Sequence, residues 1–204
     1  MLSGPMRPRV LLALLLAAAT AAVVVVRGDD PSPVPPPVGS VTLVGDSLNV
    51  GIEAYLAAAL DGWTIHNRNL VGRATRAGLE VLRHEGARLA PRVVISLGTN
   101  DAPGDADGFR RSVREALALA GPGRCVVWVN LAGASEAYEE LNRVLRDEAG
   151  RVENLRVVDW AGMLAEHPEW LAADGVHGTE AGYARRADAV AAAVRACRPP
   201  GESS

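Results

Sequence analysis

Five residues of this sequence could together move an acyl group. The apolar run Val41-Thr42-Leu43-Val44 leads directly into Gly45-Asp46-Ser47-Leu48. A serine hydroxyl attacks a carbonyl only if a base takes its proton during the attack. His177 is the candidate base. Asp174, in the segment Asp174-Gly175-Val176-His177, is placed to hold the imidazole in the needed tautomer and to stabilise it once protonated. Attack leaves negative charge on the former carbonyl oxygen, and one hydrogen-bond donor aimed at it is typically worth about 2.7–4 kcal/mol. Three segments could supply donors. Ser47 N–H stands at the start of a helix, where free N–H groups point at an anion. Asn100, in Gly98-Thr99-Asn100-Asp101, carries a side-chain amide. Gly72 lets the backbone approach a substrate closely. Each block alone has a plainer reading. Ser47 could cap the next helix, Asn100-Asp101 is ordinary turn chemistry, and Asp174 and His177 could satisfy loop backbone. Their joint appearance in this order favours the chemical reading.

The elements between these blocks must bring them together. Short β-rich runs fall at Val41–Val44, Thr64–His66, Val93–Leu97, Cys125–Asn130 and Leu155–Val158. Helical spacing marks Val50–Leu60, Thr75–Leu89, Phe109–Ala120, Glu136–Ala149 and Glu180–Cys197. Several strands are nearly continuous apolar runs, as expected when both sheet faces are covered. Alternating strands and helices imply a parallel sheet with right-handed crossovers. Such sheets bind ligands outside the carboxyl ends of their strands. Ser47 and Asn100 each come directly after a strand, and the Ala172–Thr179 loop precedes the last helix, so all three are expected at that edge.

On these residues the sequence resembles the SGNH, or GDSL-type, hydrolase family. Gly45-Asp46-Ser47-Leu48 matches its first block. Asn69–Leu79 resembles the second, with Gly72 on the family glycine. Gly98-Thr99-Asn100-Asp101 matches the third and Asp174-Gly175-Val176-His177 the last, while Gly178–Tyr183 resembles the family's usual continuation of that last block. The likeness runs from about Val41 to Val194. It implies a flavodoxin-like three-layer αβα sandwich with a parallel five-stranded sheet. It also implies Ser47 as nucleophile, His177 and Asp174 as its partners, and an oxyanion hole from Ser47, Gly72 and Asn100. Arg73 and Arg76 flank the second block. They could contact an anionic or hydroxyl-rich substrate, but solvated helix-start residues are the favoured reading. Asp101 is expected to orient its loop rather than bind substrate. Trp160 and Trp170 are expected to pack in the core rather than line a substrate wall.

Bulk properties bound the rest. The chain has 204 residues, 49 % hydrophobic, with a formal net charge of −3. Length favours one globular domain plus an extension. The charge gives no support for a nucleic-acid partner. Cysteine and histidine show no metal-ligand spacing and no glycine-rich phosphate loop occurs, so no metal or cofactor is expected. His66, His84 and His167 lack a partner pattern and receive no role. Arg7 and Arg9 precede an uncharged run, Val10 to Val26. Residues 1–28 therefore read as a cleaved signal peptide or an uncleaved signal anchor, and either exports the rest of the chain. Residues 29–40 are a Pro-rich extended spacer, 41–198 the folded domain, and 199–204 a polar tail. Cys125 opens a predicted strand and Cys197 closes the last predicted helix, which share an edge in a parallel α/β domain. A disulfide is therefore geometrically open to them, and two inert thiols are the alternative.

These readings give one expectation and two rivals. The expectation is an exported serine esterase acting on small acyl esters, such as an O-acetylated sugar of the cell surface, with a membrane tether through the leader as an option. No apolar lid or long insertion of the lipase kind is seen. The first rival keeps the site and passes the acyl group to a sugar hydroxyl. The second is a non-catalytic surface-binding domain with the same fold.

Overall fold

Strands and helices alternate along the chain. They are β1 (Gly39–Gly45), α1 (Ser47–Ala59), β2 (Trp63–Asn67), α2 (Thr75–Glu85), β3 (Arg92–Ser96), α3 (Ala106–Ala120), β4 (Cys125–Val129), α4 (Ala137–Ala149), β5 (Leu155–Val158), α5 (Trp160–Glu166) and α6 (Glu180–Ala196). The structure, a computed structural model, describes residues 37–133 and 135–199. The expected leader, most of the spacer and the tail after Pro199 lie outside these residues. Among the described residues no helix is long and apolar enough to cross a membrane; the run Val10 to Val26 is not one of them.

The five strands form one sheet in the order β2-β1-β3-β4-β5, and every neighbouring pair is parallel. Successive strand residues point to opposite faces, and the sequence uses both. Val41 and Leu43 face one core with Val94 and Val127, against Ile52 and Leu56 of α1, Trp160 and Leu164 of α5, and Val190 and Val194 of α6. Val44 faces the other with Val93, Ile95 and Trp128, against Leu79 and Leu82 of α2, Phe109 and Val113 of α3, and Leu141 and Leu145 of α4. Burying one such aliphatic side chain is worth about 1.5–3 kcal/mol, against about 0–1 kcal/mol for an exposed ion pair. The two apolar layers, rather than the surface charges, hold the sheet. The result is the expected three-layer αβα sandwich.

Two features decide where the site can form. The strand order reverses between β1 and β3, and ligands bind outside the carboxyl edge at such a reversal. The register pairs Gly45 with Ser96, so the segments leaving β1 and β3 depart side by side. Gly45 itself admits no side chain, because a Cβ there would overlap that of Asn49.

The helices differ from the sequence reading at several bounds: α2 ends at Glu85 rather than Leu89, and α3 begins at Ala106 rather than Phe109. α1 begins at Ser47 rather than near Val50, because the Asp46 carboxylate caps it by accepting the Leu48 N–H at 3.0 Å. The short α5 has no periodic mark in the sequence. It is started by Asp159, whose carboxylate accepts the Gly162 N–H at 3.0 Å, and anchored by buried Trp160. Cys125 and Cys197 are joined by a disulfide, their Cα atoms 5.8 Å apart, at the edge opposite the strands' carboxyl ends.

Candidate active site

Ser47 is the first residue of α1, where the backbone N–H has no partner inside the helix. It does not cap the helix; Asp46 does. Ser47 Oγ lies 3.0 Å from His177 Nε2, and His177 Nδ1 lies 2.7 Å from Asp174 Oδ2. Ser47 thus joins a loop pair 130 residues further along the chain in one hydrogen-bonded line. The proton positions are set by the acid at its end. An ionised carboxylate only accepts, so Nδ1 carries the imidazole proton and Nε2 is left to accept from the serine hydroxyl.

Asp174 is well prepared to stay ionised. Its Oδ1 accepts the N–H groups of Val176 at 3.0 Å and His177 at 2.9 Å. Those two backbone donors, with the His177 ring, hold its pKa down at about 2. The loop is closed on itself and clamped to the turn Pro168–Trp170 before it. Ala172 N–H donates to the His177 carbonyl at 2.8 Å, and Thr179 N–H to the Trp170 carbonyl at 2.8 Å. Leu171 pairs with Gly178 across an antiparallel bridge. Thr179 then caps α6 through Gly182 N–H.

The candidate oxyanion donors come from two further loops. Asn100 Nδ2 donates to Asp46 Oδ2 at 3.2 Å and to the Arg73 carbonyl at 3.3 Å. Both contacts are at the long end for such bonds. Gly72 is exposed and holds a left-handed φ of 73°, a conformation that favours glycine. Its loop is tied to the end of β1: Leu70 N–H donates to the Gly45 carbonyl at 3.0 Å, and Arg73 N–H to the Leu70 carbonyl at 3.2 Å. The sequence reading of Arg73 as a solvated residue does not hold. Its Nη1 donates to the Gly45 carbonyl at 3.2 Å and also bonds the Arg68 carbonyl, so this side chain anchors the loop. Arg76 remains exposed. Asp101 is structural, as expected, but its target is α2, where Oδ1 accepts the Thr75 N–H at 2.7 Å.

Asp46 and Arg186 were not singled out by sequence. Asp46 is fully buried. Burial pushes its pKa up, while the Leu48 N–H and the charge of Arg186 oppose that push. Arg186 is buried as well, and burial lowers its pKa to about 10. Trp160 is in the core, with Trp170 stacked on it at 6.1 Å between ring centroids and His167 stacked on Trp170 at 4.0 Å. A groove of about 670 Å³ runs from Asn100 between α2 and α3, with Arg76, Arg83, Asp105, Arg111 and Glu115 among its lining residues. Ser47 and His177 do not line it. Among the described residues no group of His, Cys, Asp or Glu is arranged to hold a metal ion.

Comparison with known proteins agrees with this fold. The chain is 30 % identical over 139 residues to YrhL of Bacillus subtilis (strain 168), whose name proposes a peptidoglycan O-acetyltransferase. It is 28 % identical over 142 residues to the O-acetyltransferase OatA of Staphylococcus aureus (strain NCTC 8325 / PS 47). These alignments take in 67 % and 68 % of this chain but only 21 % and 22 % of those proteins. Among solved structures, the C-terminal catalytic domain of Streptococcus pneumoniae OatA, bearing a methylsulfonyl adduct, superposes with a TM-score of 0.68 at 24 % identity, over 81 % of this chain and 98 % of that one. The sequence model of the GDSL-like Lipase/Acylhydrolase family matches residues 38–185. The chain belongs to the GDSL-like Lipase/Acylhydrolase family, the one its sequence blocks resemble.

Proposed function

We propose that the chain is a serine acyl-transfer enzyme that takes a small acyl group from an ester onto Ser47. The observation that carries this reading is the hydrogen-bonded line Ser47 Oγ to His177 Nε2 at 3.0 Å and His177 Nδ1 to Asp174 Oδ2 at 2.7 Å. Ser47 Oγ attacks the ester carbonyl while its proton passes to His177 Nε2. The negative oxygen that forms is met by the N–H groups of Ser47 and Gly72 and by the Asn100 amide, which exchanges its long contact with the Arg73 carbonyl for the substrate oxygen. Collapse breaks the ester C–O bond, and the leaving alkoxide takes the proton from His177. The acyl-enzyme is then cleared by a hydroxyl compound that gives its proton to His177, and Ser47 is restored.

Two acceptors suit this chemistry. With water the protein is an esterase, the expectation from its sequence blocks. With a sugar hydroxyl it is an O-acyltransferase. The names of the relatives favour the second, and the polar groove beside Asn100 offers side chains to a hydroxyl-rich molecule. Export of the domain, with or without a tether, is supported by the disulfide, since such bonds persist in oxidising compartments. The test uses p-nitrophenyl acetate with and without added glycan oligosaccharides. Release of p-nitrophenol is expected to vanish in Ser47→Ala with the fold intact. Free acetate alone means a hydrolase; acetylated glycan means a transferase. A Ser47→Ala variant with parental turnover, or no labelling of Ser47 by a serine-directed phosphonate, refutes the reading and leaves a binding domain.

A further inference from the structure

The interior beside the site holds a cation that the acyl-transfer steps do not use. Arg186, on α6, is 2 % exposed. Its Nη2 donates to Ser96 Oγ at 2.8 Å, and its guanidinium carbon lies 5.4 Å from the centroid of the Trp160 ring. Nε and Nη1 have no hydrogen-bond partner among the described residues. A guanidinium removed from water is strongly unfavourable unless an opposite charge repays its lost hydration. The opposite charge here is Asp46, itself fully buried and one residue from Ser47. Ser96 lies between them: its hydroxyl takes Arg186, and its carbonyl takes the Asp46 N–H at 3.2 Å.

The charge on Asp46 decides what Asn100 can do. As a carboxylate, Asp46 only accepts. It accepts Leu48 N–H at one oxygen and Asn100 Nδ2 at the other. Asn100 must then turn its NH2 end, and not its carbonyl, toward Asp46. A protonated Asp46 would carry an O–H donor, and Asn100 could rotate its oxygen onto it. The side chain would then lose the fixed orientation that an oxyanion donor needs. We propose that Arg186 is a positioning residue: it keeps Asp46 a carboxylate, and that carboxylate fixes the Asn100 amide with its NH2 end at the site. The catalytic consequence rests on the Ser47 reading; the ionisation of Asp46 does not.

Other groups face Asp46. Arg73 reaches toward it from the loop after β2, and the phenols of Tyr138 on α4 and Tyr183 on α6 lie in its field. Burial raises the pKa of both phenols, so they stay neutral. Arg73 is partly exposed, whereas Arg186 is fully enclosed. A charge in a low-dielectric interior acts more strongly than one screened by water. Arg186 is therefore the dominant charged partner of Asp46, acting beside the Leu48 N–H.

The test tracks the Asp46 carboxyl carbon and the Asn100 side-chain amide by NMR across pH, beside p-nitrophenyl acetate hydrolysis over the same range. The proteins are the parent, Arg186→Met and Arg186→Gln; the glutamine retains a donor for Ser96 and carries the test if the methionine variant does not fold. In both variants the Asp46 titration step is expected at higher pH than in the parent, with the Asn100 amide signals moving in the same step. Turnover is expected to fall about tenfold or more on the acid side and to recover at higher pH, with KM changed less than about twofold. An unmoved Asp46 step overturns the proposal. So does a uniform loss of turnover with the parental pH profile, which marks a structural role only, or a larger Asp46 shift in Arg73→Gln. A parent with no Ser47-dependent hydrolysis refutes the acyl-transfer reading instead, and the NMR titration still decides whether Arg186 holds Asp46 ionised.

Discussion

Asp174 keeps its charge in acid that would neutralise an ordinary aspartate. Two backbone N–H groups and the His177 ring hold it at about 2, below its usual 3.8. Because the folded pKa is the lower one, the stabilising contacts are present above the usual value and are lost as pH falls through about 2. Asp174 is therefore expected to remain ionised wherever turnover is measured above about pH 4, so acid inactivation in that range comes from another group. Asp174→Asn removes the acceptor that fixes the His177 tautomer, and turnover is expected to fall on the order of a thousandfold. Parental turnover in that variant, measured with an activated ester, shows that His177 needs no partner. The Asp174–His177 pair was legible in sequence because both residues share one short loop. Asp46 with Asn100 was not, because 54 residues separate them. Arg186 was hidden more deeply. It sits beside Arg185 in an alanine-rich helix, and only the rotation of that helix in the fold buries one arginine and exposes the other.

At the scale of elements, the site exists because β1 and β3 are neighbours. The strand runs and the parallel arrangement were readable from apolar patterning. The strand order was not, since local pattern says nothing about which strands meet. The helix start at α2 shows how loops are joined at this edge. Its N-cap residue, Ala74, offers no side-chain oxygen, and Asp101 from the β3 loop supplies one to Thr75 N–H. Asp101→Ala is expected to cost about 1 kcal/mol, a fall of about 2–4 °C in melting temperature. Turnover is expected to drop as well, because Asp101 is next to Asn100. Thermal melts and kinetics check the two effects together; an unchanged melt removes Asp101 from its capping role.

For the whole molecule, the disulfide Cys125–Cys197 closes a separation of 72 residues. Constraining a loop of that length is worth about 4 kcal/mol in the unfolded-chain view. Reduction, or the double change Cys125→Ala and Cys197→Ala, is expected to lower the melting temperature by roughly 10 °C and leave turnover below the melt unaltered, since the bridge lies at the far edge of the sheet. Lost turnover at a temperature where the reduced protein is still folded contradicts this. The sequence left the pairing open, because a shared edge permits a bridge without requiring one. Ser47 and His177 also stand 130 residues apart along the chain, on segments joined when α6 packs beside α1. A nascent chain presents Ser47 long before His177 has been made. Under the proposed acyl-transfer function, ester cleavage is expected only once α6 has docked, and the return of activity during refolding times that docking.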